Sequence, residues 1–193
     1  MLENLTKYQI ILGSASPRRK ELLAGLGLDF EVRPVAGLDE SYPSACQGEE
    51  IPVHITQNKA RAYQKELKDT DLLITADTIV WIEGKVLGKP ADKEEAITML
   101  KQLSGKKHQV ITGVCITTKN KQKVFSVTSE VQFSELTHDE IIWYVDTFAP
   151  YDKAGSYGIQ EWIGYIGVES IRGSFYNVMG LPIQRLYQEL KNF

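Results

Sequence analysis

Apolar positions recur along this chain in two alternating rhythms, short β-prone runs and longer stretches spaced by three and four, and that alternation predicts an α/β (α+β) domain. The first run, about Tyr8 to Gly13, reads as a buried strand feeding a helix. Ser16 suits the N-cap and Pro17 the first helical position, while Leu22, Leu23 and Leu26 form the core face and Gly27 closes the helix. Phe30 to Pro34 alternates as a short strand, and Pro52 opens a second helix through about Leu67. Leu72 to Ile82 is the most β-prone stretch and ends at a turn around Glu83-Gly84-Lys85. Asp92 and Glu95 have capping-box spacing ahead of Ala96, Ile97, Leu100 and Leu103, with Ser104-Gly105 as the stop. His108 to Thr118 and Lys123 to Phe133 read as strands joined at Asn120-Lys121 into an antiparallel hairpin. Thr137 and Glu140 cap another helix, which Pro150 ends; Gly155 to Gly173 holds a strand near Tyr165 to Val168, and Pro182 starts a final helix. The expected sheet is mixed, with helices on its flanks.

Bulk properties narrow the class. The 193 residues suffice for one domain over 1–193, folded as two lobes, with a core that needs no staples. Cys46 and Cys115 lie far apart and form no disulfide framework or thiolate metal motif, which fits a reducing compartment. The first residues lack a signal-peptide pattern and no apolar run nears the ~20 residues that span a bilayer, so the expectation is a cytoplasmic protein with no membrane partner. A net charge of −3 argues against nucleic acid as partner. No P-loop, dinucleotide fingerprint, H-E-x-x-H or G-x-S-x-G is present.

Chemistry concentrates where charge is awkward. Arg18, Arg19 and Lys20 fall in the first turn of the first helix, whose unpaired N–H groups already carry about half a positive charge. Two readings fit: a solvated basic helix start, or an anion site built from backbone donors, the Ser14 and Ser16 hydroxyls and the guanidinium forks of Arg18 and Arg19. Lys59 lies on the inward stripe of the second helix, four residues after Ile55, where it needs an oxygen partner or must snorkel to water. Asp77 interrupts an apolar strand, and an ionised group there is costly unless paired, hydrogen-bonded or bound to metal. Lys89, held before Pro90, could aim its ammonium inward, and Glu40 in a Gly/Pro/Ser-rich loop could add an oxygen ligand. Together Arg18, Arg19, Lys59 and Lys89 with Glu40 and Asp77 match a site for a nucleotide with a divalent cation, Mg²⁺ or Mn²⁺, held by Glu40 and Asp77.

From Ser14-Ala15-Ser16-Pro17-Arg18-Arg19 through Asp39-Glu40, Asn58-Lys59-Ala60, Ala76-Asp77-Thr78, Gly88-Lys89-Pro90, Ile111-Thr112-Gly113, Lys153-Ala154-Gly155, Tyr157-Gly158-Ile159-Gln160 and Asn177-Val178-Met179-Gly180-Leu181-Pro182, the order of motifs resembles the Maf family of nucleoside triphosphate pyrophosphatases. The resemblance implies a fold like that of inosine triphosphate pyrophosphatases, with two lobes around a twisted sheet and a central cleft, and a homodimer. It further implies hydrolysis of a nucleoside triphosphate between its α and β phosphates. The aspartate matching Asp77 is the family's proton acceptor, and the residues matching Arg18, Thr78 and Gln160 are associated with base choice, here in the pattern of the dTTP and UTP branch. Two positions depart from that pattern: Glu161 follows the glutamine where glycine is usual, and Ser174 follows Gly173 where an acidic residue is frequent. The alternatives are the same reaction on another base, such as a modified purine, and a non-catalytic nucleotide-binding regulator of cell division.

Overall fold

The computed structural model describes residues 2–193. Its elements run β1 (Gln9–Leu12), α1 (Pro17–Ala24), β2 (Phe30–Val32), α2 (Glu50–Tyr63), β3 (Asp71–Ile82), β4 (Lys85–Leu87), α3 (Lys93–Leu103), β5 (Lys107–Thr117), β6 (Gln122–Phe133), α4 (His138–Phe148), α5 (Trp162–Gly167), β7 (Val168–Arg172), α6 (Phe175–Met179) and α7 (Ile183–Lys191). The strands form one seven-stranded sheet in the order β2-β1-β3-β5-β6-β7, with β4 paired to β3. β1 is parallel to both β2 and β3, whereas β4 is antiparallel to β3 and β7 to β6, so the sheet is mixed as expected. β5 and β6 are neighbours joined by four residues, closed by the Thr118 N–H donating to the Lys121 carbonyl at 2.8 Å. A link that short leaves only an antiparallel course.

Two compact units divide the chain. The first comprises the chain up to Asp77, Thr112–Val127 and Gly180–Phe193. Its core packs Ile11, Leu73 and Cys115 from three strands against Ala60 and Tyr63 of α2 and against Leu67. The Tyr63 hydroxyl donates to the Arg33 carbonyl at 2.6 Å and accepts the Val35 N–H at 3.1 Å, so the buried ring carries its polar end to the backbone after β2. Gly113 lets the start of α2 lie against β5, because a Cβ there would stand 2.5 Å from the backbone carbonyl of Pro52.

The second unit comprises Thr78–Ile111 and Thr128–Met179. Leu100, Leu103, Tyr144 and Ile163 are buried in it. His108, Phe133 and Tyr157 form an edge-to-face trio with centroids 4.9–5.5 Å apart, and His108 Nε2 shares a 2.7 Å hydrogen bond with the Tyr157 hydroxyl.

Several element limits depart from the sequence reading for local reasons. α2 starts two residues before Pro52, which still falls in the first turn where its missing N–H costs nothing. It stops at Tyr63, and Leu67 is buried from a turn instead of from the helix. α1 ends at Ala24, with Gly25 rather than Gly27 as the cap. The box at Asp92 is incomplete: Asp92 accepts the Glu95 N–H at 2.8 Å, but Glu95 turns to the N–H of Ala91 at 2.7 Å. Thr137 and Glu140 make both reciprocal bonds. Tyr165 to Gly167 is helical, and the strand starts only at Val168. Short apolar runs do not separate strand from helix by periodicity; here Ile163 and Gly167, four apart, are the buried pair while Tyr165 and Ile166 face solvent.

Burial pushes the His108 imidazole down to about 4, so the folded protein holds it neutral. Unfolded, the same ring takes up a proton below about pH 6.5. Stability should therefore be level above pH 6.5 and fall by about 3 kcal/mol on this account between pH 6.5 and pH 4. Urea unfolding across that range checks it, and His108→Gln is expected to remove that part of the slope.

Candidate active site

β1 leads directly into the basic helix start. Ser16 caps α1 by accepting the Arg19 N–H, and Pro17 takes the first helical position, as the sequence predicts. The hydroxyl of buried Ser14 accepts the Ser16 N–H at 3.3 Å and an Nη1 hydrogen of Arg19 at 3.4 Å. Arg19 also donates from Nε to the Gly180 carbonyl and from Nη1 to the Ala76 carbonyl, each at 2.8 Å. The guanidinium therefore ties α1 to β3 and to the start of the C-terminal segment, within the field of Asp77. Burial lowers its pKa from the ordinary arginine value, and the charge of Asp77 opposes that. Arg18 is half-buried beside it, and its charge adds to the lowering.

The centre of the first unit is set by the match between α2 and β3. Thr56 and Lys59, three apart, share the buried face of the helix; Thr75 and Asp77, two apart, share one face of the strand. They meet pairwise. The Thr75 hydroxyl donates to the Thr56 carbonyl at 2.9 Å and lies 3.0 Å from the Thr56 hydroxyl, while Lys59 Nζ donates to Asp77 Oδ1 at 2.7 Å. Lys59 Nζ also lies 2.7 Å from Glu40 Oε1. Both Lys59 and Asp77 are 9% exposed, so this is a nearly desolvated pair with Glu40 closing over it from the surface. The neighbouring Asp39 accepts from the N–H and hydroxyl of Ser41, each at 2.8 Å, which lowers its pKa. Two carboxylates stand against one ammonium, and the point on which Glu40 Oε1 and Asp77 Oδ1 converge is the Lys59 ammonium itself. The oxygens of these carboxylates that Lys59 does not hold are hard donors of the kind a divalent ion takes together with water and phosphate oxygens. Among the described residues no group of three or more His, Cys, Asp or Glu side chains is placed to hold a metal by itself.

In the second unit, Thr78 is half-buried on β3, Lys89 is exposed after β4, and Gln160 is half-buried with its Oε1 enclosed and without a hydrogen-bond partner. Sequence reasoning missed the groups around Gln160. Glu161 accepts a hydrogen bond from the Tyr144 hydroxyl and lies 3.1 Å from Nζ of buried Lys153. The available signal was Tyr144 itself, a tyrosine on the apolar stripe of α4 whose hydroxyl needed a partner.

The family model described as Maf-like protein matches residues 9–193. The chain belongs to the Maf family. Among curated Maf relatives, a dTTP/UTP pyrophosphatase of Parabacteroides distasonis is 62% identical over 193 residues, covering 100% of both chains. One of Bacteroides fragilis is 61% identical over 191 residues, covering 99% of each. A Flavobacterium psychrophilum protein of the same name is 46% identical, covering 95% of this chain and 94% of its own. In fold, this Maf chain is like a HAM1 protein from Coxiella burnetii, with a TM-score of 0.53 at 15% identity, covering 96% of this chain and 100% of that one.

Removing the ammonium from between Glu40 and Asp77 leaves a buried carboxylate unpaired. Lys59→Met is expected to cost about 3 kcal/mol in urea unfolding. Adding Asp77→Asn should restore part of that loss, a coupling that a double-mutant cycle measures directly.

Proposed function

We propose that residues 1–193 act as one functional domain that hydrolyses dTTP and UTP to the nucleoside monophosphate and pyrophosphate. The observation that carries this reading is the Lys59 ammonium held 2.7 Å from both Asp77 and Glu40 in a chain of the Maf family. The names of the relatives, at about 60% identity over their full length, support the substrate.

In this reading water attacks the α phosphorus. A bond forms from the water oxygen to phosphorus, the bond to the oxygen bridging to the β phosphorus breaks, and pyrophosphate leaves with the electron pair. Asp77 offers the oxygen that Lys59 does not hold, either to orient the water and take its proton or to bind the ion, since a carboxylate on a divalent ion is a weak base. Lys59 fixes the carboxylate, and Arg18 and Lys89 offset the charge that grows on the phosphates. Ser14, Ser16 and Arg19 shape the phosphate end, with Arg19 as its brace. Glu40 and Asp77 would hold a divalent cation, Mg²⁺ or Mn²⁺, which supplies charge neutralisation at the phosphate oxygens. Thr78 and Gln160 serve base recognition: the glutamine amide matches the O4 and N3–H edge of uracil or thymine. The setting we propose is the cytoplasm, which the two free cysteines fit, and the working assembly a homodimer, on the strength of the family resemblance.

The test is pyrophosphate release from a panel of canonical and modified nucleoside triphosphates with Mg²⁺, Mn²⁺ or chelator. Selective release from dTTP and UTP is expected, lost with chelator, and Asp77→Asn should lower kcat by about 10³-fold. Release confined to another base would overturn the substrate assignment, and none with any nucleotide would favour a binding protein.

A further inference from the structure

Gln160 sits in a four-residue turn, Gly158 to Glu161, closed by the Glu161 N–H donating to the Gly158 carbonyl at 2.9 Å. One hydroxyl holds both ends of that turn. The Gly158 N–H donates to Tyr144 Oη at 3.1 Å, and Tyr144 Oη in turn donates to Glu161 Oε2. The second oxygen of Glu161 lies 3.1 Å from Nζ of Lys153, which is itself held by Asp152 Oδ1 at 2.7 Å. Glu161 folds back over the turn so closely that a Cβ on Gly158 would stand 2.7 Å from its carboxyl carbon. A Cβ on Gly164 would stand 1.8 Å from the Ile159 carbonyl oxygen, so α5 also packs against the same turn. Burial, with the bond to Glu161, raises the Tyr144 pKa far above its ordinary value, which keeps the hydroxyl a donor.

The consequence concerns the amide. A glutamine that accepts from N3–H and donates to O4 selects uracil or thymine; turned over, the same amide donates to N3 and accepts from the amino group of cytosine. Selection therefore needs the glutamine kept in one place; Gln160 Oε1 has no protein partner, so what holds the residue is the turn that carries it. We propose that Tyr144, Glu161 and Lys153 are positioning residues for base selection: they clamp the Gly158–Glu161 turn that carries Gln160, so that the residue meets a uracil or thymine base in one setting and refuses cytosine. Glu161 is then a brace of the turn. The inference rests on the pyrimidine triphosphatase reading above.

The experiment compares kcat and KM for UTP and CTP in the wild type, Tyr144→Phe, Glu161→Gln and Glu161→Ala, each checked for a cooperative unfolding transition. Tyr144→Phe keeps the ring that stacks on Phe148 at 5.1 Å and removes only the hydroxyl. The expected result is a ratio of kcat/KM for UTP over CTP that falls at least about tenfold in Tyr144→Phe and Glu161→Ala, carried mainly by KM, with Glu161→Gln retaining more of it. Should Tyr144→Phe fail to fold, the two Glu161 variants decide. An unchanged ratio in folded variants of an active wild type would overturn the clamp alone. A wild type that does not hydrolyse UTP would overturn the clamp together with the reading on which it rests.

Discussion

An ammonium group on the buried face of a helix is tolerated only where oxygen meets it, and in this chain two carboxylates do. Lys59 stands between Asp77 of β3 and Glu40 of the preceding loop, 2.7 Å from each. Taken separately, each group would be costly: a lysine and an aspartate both nearly withdrawn from water, one in the apolar stripe of a helix and one in the middle of a hydrophobic strand. Taken together, they specify how α2 lies on β3, because the pairs Thr56 with Thr75 and Lys59 with Asp77 meet in only one alignment of helix against strand. The same contact that registers the core of the first unit thus gathers the carboxylates to which we assign the chemistry.

Arg19 plays a comparable part at the other end of this cluster. Its position in a basic helix start suggests a phosphate ligand, yet its Nε and Nη1 hydrogens are given to the carbonyls of Gly180 and Ala76. A guanidinium so engaged is a rigid strut with a fixed field beside Asp77. The second unit repeats the device with other residues. There a tyrosine hydroxyl, a glutamate and a buried lysine hold the turn around Gln160.

Where one local cause sufficed, the sequence was legible. Ser16 with Pro17 and Thr137 with Glu140 mark their helix starts because capping is decided within four residues. Asp77 and Lys59 stood out because charge on an apolar face demands a partner, although their pairing with one another and with Glu40 is a tertiary fact that spacing does not contain. The glycine-rich stretch was misread at Tyr165 to Gly167, since the choice between strand and helix there depends on packing and on Gly164 meeting the Ile159 carbonyl. Glu161 looked like a departure from a pattern and nothing more; its role becomes visible only when Tyr144, seventeen residues earlier, is brought to it. Lys89 reads as a candidate from its place before proline, but a loop residue's direction is set by contacts that no short window records.

The assignment of Glu40 and Asp77 is tested most directly by anomalous diffraction from crystals grown with Mn²⁺ and an α,β-imido analogue of dTTP. The expected result is a manganese peak within coordination distance of both carboxylates, with the α phosphate beside Asp77. A peak bound elsewhere on the chain, with Glu40 and Asp77 still engaged only by Lys59, would contradict it.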